Sequence, residues 1–336
     1  MPSDYGYINA RIRGLRSKLL GEEFFSEAVN ASDLKAFISS LSQTSYMREV
    51  EEAQSRFDGI KLVDDAVARN FYQTARSMLN FSDGDAGALI STLLLRYDLN
   101  NLKSIARAKH AGREAEDIQT GLLPAGDLKP AMLETIAQAA DMPAAAQATA
   151  VAPTPLRAAF VRAASQYASD NDLYALELAL DRAYYKLVLE RAKEHNAPKK
   201  FLRHIKREID ATNLRTALSL RGSNANIDGL FIKGGFEIDK ATFDSIVAEG
   251  GSGLQALSGT SFGEVAEADN LSDAEVAIRN VLDRYGSSLA SDSTNIGLAA
   301  DYLRKKEAES AKLRLLARGK FYGVPKEALE KELGSA

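Results

Sequence analysis

The chain contains no cysteine, which excludes disulfides, thiolate nucleophiles and cysteine metal sites together. That composition suits a reducing compartment such as the cytosol. Histidine is scarce as well: His110, His195 and His204 are the only three. None has a second metal-type ligand at a helical or loop spacing that recurs, so they read as exposed residues without a metal or catalytic role. Proline is missing between Pro2 and Pro124 and between Pro198 and Pro325, which leaves two long tracts free of the residue that breaks helices. Neither SDGDAG from Ser82 nor GGSG from Gly250 ends in the lysine and hydroxyl residue of a phosphate loop, so neither nucleotide binding nor ATP hydrolysis is expected. The longest apolar run, near Ala88 to Leu95, falls far short of the roughly 20 residues that a spanning helix needs. The opening MPSDYGYINARIRG lacks a basic segment followed by an apolar core, so no signal peptide is expected.

What is present is a chain of 336 residues with 45% hydrophobic content, enough to bury a substantial core and divide into two or three domains. Its 42 basic and 46 acidic residues give a net charge of −4. A protein that coats nucleic acid would be basic as a whole; here the basic charge is local.

The organising feature is a repeat. NLKSIARAKHAG from Asn101 lies without gaps over KLRLLARGKFYG from Lys312. Leu102, Ile105, Ala106, Arg107, Lys109 and Gly112 meet Leu313, Leu316, Ala317, Arg318, Lys320 and Gly323, and Asp98 meets Glu309. DATNLRTALSLRG from Asp210 is a degenerate third copy. It keeps Asp210, Asn213 and Leu214, but Ser219 replaces the arginine and Asn224 replaces the closing glycine. A second landmark, Arg69, Arg182 and Arg279 in helical segments upstream, recurs in step, and LSQTSY from Leu41 returns as LSGTSF from Leu257. The period is roughly 100 residues, too long for a solenoid unit, so the pattern predicts a triplicated small domain. The expected divisions are 1–125, 126–232 and 233–336.

Periodicity along the chain is helical throughout. Tyr7, Ile8, Ile12, Leu15, Leu19 and Leu20 mark an amphipathic opening helix whose outer face carries Arg11, Arg13, Arg16 and Lys18. Ser32 and Asp33 are placed to cap a helix through Leu41, SDGD precedes another over Ala86–Lys109, and Gly112 is placed as its C-cap. The Pro-, Gly- and Ala-rich stretch from Gly121 to Pro155 reads as a connector or a short packed helix. FIKGGFEID from Phe231 reads as a turn or short extended passage. No alternating run of useful length occurs, so the fold class is all-α.

Adjacent carboxylates such as Glu51 with Glu52 and Asp64 with Asp65 read as solvated faces, with no catalytic pair singled out. The repeated cations carry more information. Lys103 with Arg107, and Arg314 with Arg318, are four apart on one helical face, where like charges cost some tenths of a kcal/mol. Something must offset that repulsion: acidic residues of other copies, or an acidic partner outside the chain.

The segments DYGYINARIRGLRSKLL, SLSQTSY, YDLNNLKSIARAK, IDATNLRTALSLRG, FIKGG and EAESAKLRLLARGKFYGVP resemble, in the same order from Tyr5 to Pro325, the C subunit of prokaryotic V-type (A/V-type) ATP synthases, the counterpart of the vacuolar ATPase d subunit. The resemblance implies a non-catalytic, funnel-shaped protein of three similar helical domains around a pseudo-threefold axis, without cofactor or metal. It implies a place on the cytoplasmic face of the membrane, seated on the rotor ring of proteolipid subunits and receiving the central shaft formed by the D and F subunits. Arg107, Arg318 and Arg221 are then expected at the mouth that receives the shaft, with Lys103, Arg215 and Arg314 one turn earlier. Arg11, Arg13, Lys109 and Lys320 complete the expected partner-binding set. The alternative is a free-standing helical scaffold or nucleic-acid module using the same basic faces, against which the acidic balance argues. An enzyme would need unique polar residues in one copy, and none stands out.

Overall fold

Good capping explains where several helices begin. Asp33 accepts the amide of Ala36 at 2.8 Å, Asp141 that of Ala144 at 2.8 Å and Asn270 that of Asp273 at 3.0 Å, each satisfying a first-turn donor that the helix itself leaves open. At the other end, Gly112 and Gly323 adopt φ of 64° and 67° immediately after the two matching motif helices. The amides of Arg113 and Val324 return to the carbonyls of Ala108 and Gly319, each at 2.9 Å, in the wrap that only a left-handed residue permits.

The computed structural model describes residues 5–119, 121–223, 227–249, 252–291 and 295–335, and they contain helices and no strand. After the opening helix α1 (Tyr5–Arg16), one element order runs three times. The first run is α2 (Glu22–Val29), α3 (Leu34–Leu41), α4 (Met47–Gln54), α5 (Gly59–Asn80) and α6 (Gly84–His110). A short α7 (Ala115–Gln119) precedes the second: α8 (Pro130–Gln138), α9 (Met142–Ala148), α10 (Arg157–Asp170), α11 (Leu173–Glu194) and α12 (Lys199–Ser219). In the third, α13 (Lys240–Glu249) is followed by two 3-10 helices, Ser252–Leu257 and Gly263–Glu267, then α14 (Leu271–Leu289) and α15 (Gly297–Tyr322). A final α16 (Lys326–Ser335) closes the described chain. The Gly121–Pro155 stretch is thus no bare connector; its alanines form the short helices α8 and α9 of the second run.

The helices gather into two compact units, one from residues up to Tyr184 together with Tyr302 onward, the other from Tyr185 to Asp301. Within the first unit, Phe37, Leu41, Tyr46, Val50, Val63 and Val67 of the first run share a core with Leu313, Leu316 and Ala317 of α15 and Leu329 and Leu333 of α16. In the same unit α6 packs on α7, α8 and α9. In the second unit, Leu214 and Ala217 of α12 share a core with Phe243, Leu257, Phe262, Ile278 and Val281 of the third run. Each motif helix therefore packs on the short helices of the run that follows it, and the third motif helix packs on those of the first.

The Asn224 position lies outside the described residues. The second motif helix ends at Ser219, and Gly222, with φ of 72° and two positions before the residue aligned with Gly112, gives its amide to the Val247 carbonyl at 3.0 Å. The copy is shortened there and ends differently: the Ser223 amide bonds the Leu220 carbonyl at 2.9 Å, three residues back, where Arg113 and Val324 reach five back.

Candidate functional site

The repeated motif begins with an acid in the interior of a helix, where a short carboxylate is a poor helix former and a costly buried group. Asp98 and Asp210 are nonetheless fully buried. The Asp98 carboxylate accepts the amides of Asp127 and Leu128 at 3.1 and 3.0 Å. Asp210 accepts those of Phe236, Glu237 and Ile238 at 2.8, 2.8 and 3.1 Å. One turn on, Asn101 donates to the carbonyl of Leu123 and accepts its amide, and Asn213 does the same with Ile232, all at 2.8–2.9 Å. The Asp-x-x-Asn spacing is thus a clamp that fastens the backbone entering the next run. It also dictates a glycine: a Cβ on Gly126 would overlap Asp98 Oδ1, and one on Gly235 would overlap Asp210 Oδ1. Burial pushes the Asp98 carboxyl up to about 6 against the opposing pull of its hydrogen bonds, and it raises Asp210 as well.

The third copy carries the longer Glu309, whose carboxylate accepts the Leu20 amide at 2.5 Å and the Tyr46 hydroxyl at 2.6 Å. Lys306 lies 2.6 Å from the same carboxylate, donates to the Tyr46 hydroxyl at 2.7 Å and sits 4.4 Å from the centre of its ring. Burial lowers the Lys306 ammonium, the Glu309 charge opposing it, and holds the Tyr46 phenol well above its ordinary value. Tyr46 belongs to the LSQTSY turn, in which Thr44 Oγ1 accepts the Tyr46 amide at 3.2 Å. Thr260 accepts the Phe262 amide at 3.1 Å and Thr154 the Leu156 amide at 3.4 Å. The turn therefore exists in all three runs, although TPL at Thr154 shares only its threonine with TSY. Asp98 is hydrogen-bonded to Thr154 as Glu309 is to Tyr46.

The repeated cations bind acids of the following run. Lys103 donates to both oxygens of Asp181 at 3.0 and 2.8 Å, and Arg107 grips Glu177 with two bonds of 2.5 and 2.6 Å. Arg215 grips Glu275 at 2.8 and 2.7 Å. Arg314 lies 3.3 Å from Asp64 and donates to the carbonyls of Gly121 and Leu122, each at 3.1 Å, while Arg318 donates to both Asp64 oxygens. Glu177, Glu275 and Asp64 stand four or five positions before a landmark arginine, Arg182, Arg279 or Arg69. The pairs link α6 to α11, α12 to α14, and α15 back to α5. Burial raises the carboxyls of Asp64 and Asp181 and lowers the guanidinium of Arg314, the opposite charges opposing each shift. Burial thus disfavours both charged forms of the Asp64–Arg314 pair, which therefore fixes arrangement more than it adds stability.

Lys109 donates to the Ala139 carbonyl, and Lys320 to those of Val29 and Ala31 at 2.5 and 2.7 Å. Both lysines satisfy carbonyls at the ends of short helices, α8 and α2, a favourable place for cations. Arg11 lies 5.4 Å from the centre of the Phe81 ring. Arg13 and Arg221 are exposed. Five of the ten expected partner-binding residues, Lys103, Arg107, Arg215, Arg314 and Arg318, thus meet acids of another run. Of these, Arg107 keeps 59% of its side chain accessible and Arg314 only 14%.

Of the histidines, His110 meets the Tyr167 hydroxyl at 2.8 Å, and His204 is largely buried, 3.5 Å from Glu208. The exposed reading fails for His204 because α12 turns it inward. A cleft of about 630 Å³ opens beside α5, lined among others by Phe57, Asp65, Arg69, Pro130 and Glu134. Its charges neutralise one another: Arg56 and Arg69 meet Asp65, and Lys61 meets Glu116. Among the described residues no group of three or more His, Asp or Glu is placed to hold a metal, and no helix is long and apolar enough to cross a membrane.

These observations define an all-helical protein of threefold element order, whose repeated charged motif joins one run to the next. The chain belongs to the ATP synthase (C/AC39) subunit family, whose pattern it matches over residues 8–332. It is 37% identical to the V-type ATP synthase C subunit of Deinococcus radiodurans over 334 residues, covering 99% of this chain and 92% of that one. It is 34% identical to the V-type ATP synthase C subunit of Thermus thermophilus, covering 99% of both, and 27% identical to the A-type ATP synthase C subunit of Archaeoglobus fulgidus, covering 98% and 96%.

Proposed function

We propose that this chain is a non-catalytic rotor component in the central stalk of a V-type ATP synthase or ATPase, a socket on the cytoplasmic face of the membrane. In this reading it holds the shaft of the D and F subunits on one side and the proteolipid ring on the other, so that rotation of one turns the other during ATP synthesis or ion transport. Three similar domains, cut near residues 125 and 232, would surround the shaft. The observation that carries the reading, beside family membership, is where the repeated charges go. They fasten run to run around the whole sequence, α15 returning to α5, as a part that transmits torque without deforming requires.

Within this proposal the ten basic positions divide. Lys103, Lys109, Arg314 and Lys320 brace the structure. Arg11, Arg13 and Arg221, with the accessible flanks of Arg107, Arg215 and Arg318, offer positive charge to a partner. The test is purification of the complex from detergent-solubilised membranes, with the chain tagged. Co-purification of shaft and ring is expected, as is weaker shaft retention in an Arg11→Ala, Arg13→Ala, Arg221→Ala triple variant, more so at low salt, since exposed charges act through screened attraction. A chain that purifies without shaft or ring proteins overturns the reading.

A further inference from the structure

The second motif helix opens on charges that its own geometry opposes. Lys199 and Lys200 are the first two residues of α12, where the positive end of the helix dipole disfavours cations. Arg203 and Lys206 follow at helical spacing, so the four share one face and repel one another. Phe201 and Ile205 occupy the opposite face and are buried. The aligned residues show that the fold does not ask for these charges. Lys199, Lys200 and Arg203 match Gly87, Ala88 and Ser91 of α6, and Leu298, Ala299 and Tyr302 of α15. The three α15 residues are buried, whereas Lys199, Lys200 and Arg203 are exposed.

The chain supplies no counter-charge to this face. Among the described residues Lys199, Lys200 and Lys206 meet no carboxylate. The acids of the neighbourhood are turned elsewhere: Glu208 lies 3.5 Å from His204, and Glu237 accepts from Arg207 at 3.1 Å and from the Ser261 amide at 2.7 Å. Arg203 instead lies 5.7 Å from the centre of the Phe236 ring, which Arg207 also approaches to 5.0 Å. Phe236 is itself 47% exposed, so an aromatic ring stands open at the edge of the cationic face.

We propose that this face binds anionic lipid headgroups, with Lys199, Lys200, Arg203 and Lys206 on their phosphates and the Phe236 ring seated among them. An anionic membrane surface offsets the repulsion that the chain leaves standing. Clustered cations with an aromatic residue at their edge suit such a surface, where mobile ammonium groups meet diffuse charge. A protein partner is the poorer fit, because protein interfaces are depleted in lysine and use the planar fork of arginine for carboxylates. The inference rests on the reading that seats the chain at a membrane, and adds a lipid contact to the shaft and the ring.

The test is flotation of the full chain with vesicles. Binding at low salt to vesicles of phosphatidylcholine and phosphatidylglycerol in equal parts, and not to phosphatidylcholine alone, is expected, with release at high salt. A Lys199→Ala, Lys200→Ala, Arg203→Ala triple variant is expected to bind at least about tenfold more weakly, while its melt holds or rises, because alanine removes the cations from the first turns. The chain has no tryptophan, so Phe236→Trp supplies a lone fluorophore whose emission should shift to the blue on the anionic vesicles. No preference for those vesicles, equal binding of the triple variant or an unmoved emission overturns the inference. Capture by polyglutamate or by an oligonucleotide without vesicle binding also overturns it, and assigns the face to a protein or a nucleic acid. If shaft and ring proteins still co-purify in those cases, the reading beneath it stands; a chain that binds vesicles through this face but is absent from the complex overturns that reading alone.

Discussion

Arg318 donates to both oxygens of Asp64, at 3.2 and 3.0 Å, across 254 positions of sequence. Arg314 approaches the same carboxylate from one turn earlier. The repulsion between two cations four apart is thus offset by one buried acid of the first run, which answers the question their spacing poses.

Removing Arg314 leaves Asp64 buried with a single, partly exposed cation. Arg314→Ala is expected to cost about 3 kcal/mol and Arg318→Ala about 1 kcal/mol, because the second guanidinium is better solvated. The Asp64→Ala, Arg314→Ala pair should cost less than the two singles together, since neither leaves the other unpaired. Urea denaturation of the four variants checks this; equal costs for the two arginines would rule out Arg314 as the buried member.

Asp98 should make stability depend on pH. Its folded value, about 6, exceeds the roughly 3.9 of an unfolded aspartate. The folded state therefore binds the extra proton, and the contribution, fully present below about pH 4, is lost as pH rises through 6. Between those limits the protein should lose roughly 2–3 kcal/mol more than an Asp98→Asn variant, which cannot titrate. Parallel curves for the two would show that the amides of Asp127 and Leu128 hold the carboxylate ionised.

Glycine substitutions should split into opposite signs. Gly126→Ala and Gly235→Ala drive a methyl into the clamp carboxylates and should each cost more than about 2 kcal/mol. Gly14→Ala, in α1 with nothing within 4 Å of the new carbon, should gain about 0.5–1 kcal/mol from helix propensity. Thermal melts of the three single variants read the signs directly.

Tyr46→Phe removes one hydroxyl that serves both Glu309 and Lys306. Both ions are nearly inaccessible, so the loss should cost about 2–3 kcal/mol, more than an ordinary buried hydrogen bond. Phe262, the third-run counterpart, already lacks the hydroxyl, so Phe262→Tyr should bring no comparable gain. Urea denaturation of the two variants checks both expectations.

The helical class, the threefold period and the motif residues were legible in the sequence because each recurs. Similarity between copies says which positions are alike; it does not say which copy packs on which. Hence the acids Glu177, Glu275 and Asp64, although placed four or five positions before the landmark arginines, were not recognisable as partners of Lys103, Arg107, Arg215, Arg314 and Arg318. Asp98, Asp210 and Glu309 were visible only as matched charge. An acid retained one turn before a buried asparagine, followed some 25–28 positions later by Gly126 or Gly235, was the signal for a backbone clamp. Helix length escaped as well: α4 and α10 start alike, and nothing in their first turns reveals that one runs six residues further.

The core that Leu313, Leu316, Leu329 and Leu333 complete belongs mostly to residues made first. Phe37, Tyr46 and Val63 leave the ribosome long before these leucines exist. At roughly 5–20 residues per second, the 254 positions between Asp64 and Arg318 take about 13–50 seconds to synthesise. Throughout that interval the apolar face of α2–α5 has no native cover. The nascent chain must be shielded until translation is almost finished, and a product truncated before α15 would be held by chaperones or degraded.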